Sequence, residues 1–244
     1  MGDVQMKKVV AGIQARMGST RLPGKSLMPI CSKPLIHWVI DRVKKASKID
    51  EVWILTTTNS EDDALVASVE SKVGVVRGYS QDVRSRYNQL IEKTGAFLVV
   101  RVTGDCPLVD GALLDAVVEL NRQDGAEYSN IQGQPYYETA YPNGFNAEVF
   151  SIEAFKRMFL LGNTDEDREH VTPTVDKFPE KFKISRLAPP IELSRKHWKL
   201  SVDTAEELQR VRLIAEALGE MAEYASVKDI VAVLDAHSEW QNFN

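Results

Sequence analysis

The sequence predicts an α/β protein built on a doubly wound, mostly parallel mixed sheet, and three observations carry that reading. Short runs rich in Val and Ile alternate with segments of helical spacing from the start of the chain. Residues suited to helix starts stand between them. After about Tyr128 the rhythm loosens, which predicts a small inserted lobe around 128–187 in a single domain spanning 1–244.

Residues 8–13 form the first strand. Leu35, Ile36, Val39, Ile40 and Val43 then recur at helical spacing behind Pro34, which suits a first helical turn. Residues 52–57 repeat the strand signal, and Ser60 followed by Glu61, Asp62 and Asp63 gives a cap and an acidic first turn to a helix through about Lys72. A brief strand at 73–77, a helix at 82–93, a strong strand at 97–103 and a helix at 112–121 continue the alternation. Residues 132–142 carry one Gly, two Pro and three Tyr and read as a long loop of the kind that shapes a substrate pocket. Residues 181–187 and 198–202 read as strands. Helices at 204–218 and 227–236 close the chain, with Leu208, Val211, Ile214 and Leu218 on one face.

The 244 residues are 43% hydrophobic and 27% charged, with 35 acids against 30 bases and a net charge of −5. That balance, without a long run of one sign, argues against a nucleic-acid or anionic-membrane partner, so any bound anion must be met locally. The longest apolar stretches, 97–100 and 158–161, are far too short to span a bilayer, and 1–8 is polar and charged. Cys31 and Cys106 stand alone, with no CxxC and no His at ligand spacing, so a reducing cytoplasm is the expected location.

The first strand runs into Gln14-Ala15-Arg16-Met17-Gly18-Ser19-Thr20-Arg21-Leu22-Pro23-Gly24-Lys25, a compact cationic loop on an acidic protein. Glycines let backbone N–H groups approach phosphate oxygens, and Arg and Lys supply the charge a triphosphate requires. The loop is neither a GxxxxGK[ST] P-loop nor GxGxxG; its bland alternative is a solvated basic turn. Two carboxylates close later strands, Asp105 after 97–103 and Asp203 after 198–202, where each could reach a metal on the phosphates or simply cap a helix.

The stretch from Ile13 to Leu27 resembles the amino-terminal signature of the nucleotide-sugar cytidylyltransferases, most closely the spore-coat polysaccharide branch, relatives of the sialate and 3-deoxy-manno-octulosonate cytidylyltransferases. Further matches are Arg101-Val102-Thr103-Gly104-Asp105-Cys106-Pro107-Leu108-Val109-Asp110, Ser201-Val202-Asp203-Thr204-Ala205-Glu206-Glu207-Leu208, the 78–87 segment around Ser80 and Asp82, and Arg168-Glu169-His170-Val171-Thr172-Pro173. The resemblance implies a Rossmann-like, GT-A-like nucleotidyltransferase fold and a cytoplasmic homodimer that transfers CMP from CTP to a sugar for surface polysaccharide or glycoconjugate synthesis. The sugar is expected to be an acidic ulosonic one, with pyrophosphate released.

It further implies magnesium held by Asp105 and Asp203, with Arg16, Arg21 and Lys25 neutralising the phosphates in an in-line attack by a sugar hydroxyl. Gly18 and Ser19 would lend loop hydrogen bonds, and Gln14, Ala15, Ser80 and Asp82 are the candidates around the nucleoside. Where the branch commonly reads Pro-Asp-Gly-Leu-Asp-Val-Glu, this chain has Pro142-Asn143-Gly144-Phe145-Asn146-Ala147-Glu148, so two acids become amides. Asn143, Asn146 and Glu148, with His170, are the candidates for the acceptor side. Tyr136, Tyr137 and Tyr141 offer either sugar contact or packing; Trp38, Trp53 and Trp198 read as core, and Cys106 as a small buried residue. The competing readings are a GT-A-type glycosyltransferase, which normally shows Asp-x-Asp where this chain has Gly104-Asp105-Cys106, and a catalytically idle nucleotide-binding sensor or scaffold.

Overall fold

The computed structural model describes residues 7–131 and 139–241. The first strand, β1 (Val9–Gln14), shows how period-two alternation divides the interior. Val9, Ala11 and Ile13 pack into one core and Val10 into the other, each fully buried. The chain then makes a short hairpin, β2 (Pro29–Ile30) and β3 (Lys33–Pro34), which the sequence reading passed over, and enters α1 (Leu35–Val43). It continues through β4 (Glu51–Thr57), α2 (Asp63–Val69), β5 (Gly74–Gly78), α3 (Val83–Thr94), β6 (Leu98–Thr103) and α4 (Gly111–Asp124).

Strands β7 (Tyr128–Ile131) and β8 (Glu148–Ser151) follow, then α5 (Ile152–Leu161), α6 (Asp165–His170), α7 (Pro173–Lys177), β9 (Ile184–Leu187), α8 (Ala205–Leu218) and α9 (Val227–Ala236). The sheet has seven strands in the order β5-β4-β1-β6-β8-β7-β9. Strands β5, β4, β1 and β6 are mutually parallel, β8 runs antiparallel to β6 and β7, and β9 is parallel to β7. The predicted α/β class, mostly parallel and mixed, is the class observed. Helices α1, α4, α8 and α9 cover one face; α3, α5 and α7 cover the other. Parallel pairing delivers the carboxyl ends of β1, β4 and β6 to one rim.

Segment 198–202 is not a sheet strand. Trp198, Leu200 and Val202 are buried and alternate as strand residues do, but the segment makes one isolated bridge, Asn143 to Lys199. Its partner loop turns away at Gly144, whose φ is 117° and where a Cβ would stand 2.9 Å from the Leu200 carbonyl carbon. The strand expected at 181–187 shortens to β9 because Pro179–Lys181 winds into a 3₁₀ turn. Similarly, Ser60–Asp62 is a 3₁₀ turn ahead of a short α2. Among the described residues, no helix is long and apolar enough to cross a membrane. Trp38 and Trp198 lie in the core, as does Tyr141; Tyr136 and Tyr137 fall outside the described residues.

Candidate active site

The cationic loop leaves β1 and is pinned from below. Ala15 N–H donates to the Leu55 carbonyl (3.1 Å), and Met17 N–H donates to Asp62 Oδ1 (2.6 Å). Asp62 is fully buried, and its other oxygen accepts the Thr56 hydroxyl (2.8 Å), the Thr57 N–H (3.0 Å) and the Thr57 hydroxyl. Burial opposes the charge of Asp62, yet these donors outweigh it and hold the carboxyl below its ordinary range. Gly104, past the end of β6, donates its N–H to the Gln14 carbonyl (2.8 Å). A Cβ there would lie 2.7 Å from Ala15 Cβ and 2.8 Å from that same oxygen, so only glycine lets the two strand-end loops touch.

That contact brings Lys25 between the two carboxylates. Its ammonium donates to Asp203 Oδ1 (2.9 Å), Asp105 Oδ2 (3.3 Å) and the Val202 carbonyl (2.6 Å). Arg21 also reaches Asp203 Oδ1 (2.9 Å), while Lys199 holds Asp203 Oδ2 (3.0 Å) and Glu207 (2.7 Å). Burial works against ionisation of Asp203, but Lys25 and Lys199 prevail and hold its pKa down to about 2. Neither acid caps a helix. Asp110 caps α4 through Ala112 N–H (2.8 Å), and Thr204 caps α8 in a reciprocal box with Glu207.

Two adjoining cavities meet here. One, of about 380 Å³, is lined by Gln14, Ala15, Arg16, Ser19, Arg21, Lys25, Asp105 and Asp203. The other, of about 350 Å³, is lined by Asn143, Asn146 and Glu148 together with Arg101, Asn130 and Ser201. Gln14, Thr103, Asp105 and His170 belong to both. Gly18, Ser80 and Asp82 line neither of the two. Asp82 caps α3 at Ser85 N–H (2.7 Å), Ser80 offers its carbonyl to Arg86 (3.5 Å), and Gly18 backs onto Glu61. In their place stands Arg86, 2% exposed, with Nη1 on the Leu55 carbonyl (3.2 Å) and Nε without a partner. Its signal was present, since Arg86 lies in the 78–87 segment. Ser80 and Asp82 stand nearer the expected strand end.

His170 ends α6 and enters a tight turn. Val171 is fully buried at φ 70° and ψ −51°, and Thr172 N–H donates back to the His170 carbonyl (2.8 Å), a γ-turn of the rare positive-φ kind. Such a conformation in a β-branched residue is strained and persists only where packing imposes it. Here it sets the imidazole where the cavities meet and turns the Thr172 hydroxyl onto Glu148 Oε1 (2.6 Å). Cys106, beside Asp105, is buried; burial and Asp105 push its thiol pKa well up, so it is inert packing. Arg16 and Glu169, both exposed, face each other at 3.9 Å, a loose pair that leaves the guanidinium available.

Among the described residues, no group of three or more His, Cys, Asp or Glu gathers to hold a metal by itself. Asp105 and Asp203 do converge on one cation, the Lys25 ammonium. A pair of carboxylates of this kind fits magnesium when phosphate oxygens and water supply the remaining ligands.

The sequence model of the family described as cytidylyltransferase matches residues 10–231. The spore coat polysaccharide biosynthesis protein SpsF of Bacillus subtilis is 28% identical over 242 residues, 96% of this chain and 97% of its own. The 3-deoxy-manno-octulosonate cytidylyltransferase of Bdellovibrio bacteriovorus is 35% identical over 113 residues, 46% of this chain and 45% of its own. The solved structure of a cytidylyltransferase from Leptospira borgpetersenii superposes with a TM-score of 0.88 at 29% identity, covering 97% of this chain and 98% of that one.

Proposed function

The chain belongs to the cytidylyltransferase family and is a nucleotidyltransferase, and from that premise we propose that it transfers CMP from CTP to an acidic ulosonic sugar with release of pyrophosphate. The observation that carries the reading is the junction of the two cavities: Lys25, Asp105 and Asp203 form one cluster, and Asp105 faces both spaces. The first cavity takes the nucleotide. Gln14, Ala15 and Arg86 line its inner wall, and Arg16, Ser19, Arg21 and Lys25 meet the triphosphate. The second cavity takes the sugar, with Asn143, Asn146, Glu148 and His170 on its walls.

The chemistry is a displacement at the α-phosphorus. A sugar hydroxyl attacks in line, the bond to the bridging oxygen of pyrophosphate breaks, and the hydroxyl proton leaves to solvent or to a neighbouring base. Charge grows on the phosphate oxygens as that bond loosens, so positioning and fixed positive charge are what lower the barrier. Arg16, Arg21 and Lys25 supply that charge from the loop; Gly104 and Asp62 hold the loop in place. A magnesium ion at Asp105 and Asp203 would add charge neutralisation on the phosphates.

The test is a melting assay with CTP, ATP, GTP and UTP plus magnesium, followed by pyrophosphate release with a panel of ulosonic acids. Preferential stabilisation by CTP is expected, because a ligand that binds the folded state raises its apparent stability. Equal shifts for all four nucleotides would sink the cytidylyl assignment, and absence of pyrophosphate with every acidic sugar would sink the acceptor.

A further inference from the structure

The acceptor cavity contains one permanent cation among its described lining residues, Arg101. Arg101 sits on β6, directly across from Glu148 on β8, and the two side chains form an ion pair. A cross-strand pair of this kind could be purely structural, serving to close the sheet. Its hydrogen bonding is lopsided, however. Glu148 is well occupied: Oε1 accepts from Tyr128 (2.5 Å) and Thr172 (2.6 Å), and Oε2 accepts from Arg101. The Arg101 guanidinium uses Nε on Gln14 Oε1 (3.0 Å) and Nη1 on Glu148. A guanidinium carries five N–H groups and accepts nothing, so donors remain with no acceptor among the described residues. None of its atoms is among the buried orphans, and Arg101 lines the cavity.

The place of this surplus matters chemically. In an ulosonic acid the carboxylate and the anomeric hydroxyl share one carbon. The group that reads the carboxylate must therefore stand next to the point of attack. Gln14 belongs to both cavities and is hydrogen-bonded to Arg101, so the guanidinium is tied to the wall where they meet. Glu148 and Gln14 fix its plane from two sides, which removes the entropy cost of ordering a long side chain when the ligand arrives.

We propose that Arg101 is the specificity-determining residue for the acceptor, donating from its free N–H groups to a carboxylate geminal to the attacking hydroxyl, with Gln14 and Glu148 as its positioning residues. This rests on the acceptor reading above. It predicts that the enzyme distinguishes a sugar acid from its neutral carboxamide, and that the distinction lives in Arg101.

The experiment compares the wild type with Arg101→Gln and with the double variant Arg101→Gln/Glu148→Gln, which leaves no unpaired buried charge. Each is assayed for pyrophosphate release with an ulosonic acid and with its C1 carboxamide, and folding is checked by the CTP-dependent melting shift. The expected result is a fall of about ten- to a hundredfold in kcat/KM for the acid in both variants, the scale of a lost charge-assisted hydrogen bond. The ratio of kcat/KM for the acid to that for the carboxamide should fall by the same factor in both variants, and the CTP shift should persist. Equal losses for acid and carboxamide in the double variant would overturn the assignment of Arg101 while leaving the acceptor reading in place. A wild type that turns over no sugar acid, yet works on a neutral sugar, would overturn both.

Discussion

The Lys25 ammonium stands between Asp105 and Asp203, 3.3 Å from one carboxylate and 2.9 Å from the other, although β7, β8 and β9 separate the two acids in sequence. A loop cation whose bland reading is a solvated turn is 13% exposed and holds three oxygens. It therefore serves the fold as well as the phosphates.

Replacing Lys25 with Met tests that double role. CTP binding should weaken by about ten- to a hundredfold, the worth of a charge-assisted bond to phosphate. The fold should also lose about 1 to 2 kcal/mol, because two half-buried acids lose a shared partner while Arg21 and Lys199 still hold Asp203. Urea unfolding and calorimetric titration with CTP check the two parts separately. An unchanged midpoint would return Lys25 to a mere surface turn.

Asp62 should behave as a hidden part of the loop. Substitution by Ala leaves Met17 N–H, Thr57 N–H and two threonine hydroxyls without their acceptor in a fully buried spot. The expected cost is about 3 kcal/mol of stability, with weaker CTP affinity in the protein that still folds. Binding measured well below the melting point separates the two effects; full CTP affinity in a destabilised Asp62→Ala would show that the pin does not shape the loop.

The fold was largely legible because its alternation is a local property: β1, β4, β6, α4 and α9 follow from spacing and caps alone. The lining of the candidate site was legible where a motif sits at a strand end, as with Arg16, Lys25 and Asp105. It was not legible where tertiary packing decides. Asp62 reads as an acidic first turn until β4 folds beside it, and Arg86 is one residue of an expected helix until the ends of β4 and β5 close around it. Segment 198–202 has strand periodicity because Trp198, Leu200 and Val202 turn one side to the core, yet its partner is a loop bent at Gly144. Nothing in the local sequence announces the γ-turn at Val171, since a β-branched residue is the last expected at positive φ.

Acid should find Asp203. Its folded pKa of about 2 lies below the ordinary 3.8, so the unfolded chain binds the proton more readily. The contribution, about 2 kcal/mol, is therefore fully present above pH 4 and is lost as the pH falls through 2. The stability difference between wild type and Asp203→Asn should hold from pH 6 to about 4 and then shrink as unfolding is measured down to pH 2. A difference that stays constant over that range would mean the carboxylate gains nothing from Lys25 and Lys199.

The two carboxylates give the sharpest test of the shared site. Both lean on one ammonium and neither caps a helix, so Asn at either position keeps the shape and removes only charge. If both act on the same phosphate-bound cation, either substitution should abolish most pyrophosphate release, and the double substitution should cost little beyond the worse single one, because groups that work as a unit are not additive. Binding of manganese in the presence of CTP, followed by its paramagnetic signal, supplies a readout apart from turnover and should fail in all three variants. Losses that multiply, or manganese retained by either single variant at wild-type affinity, would show that Asp105 and Asp203 meet at Lys25 without sharing a metal.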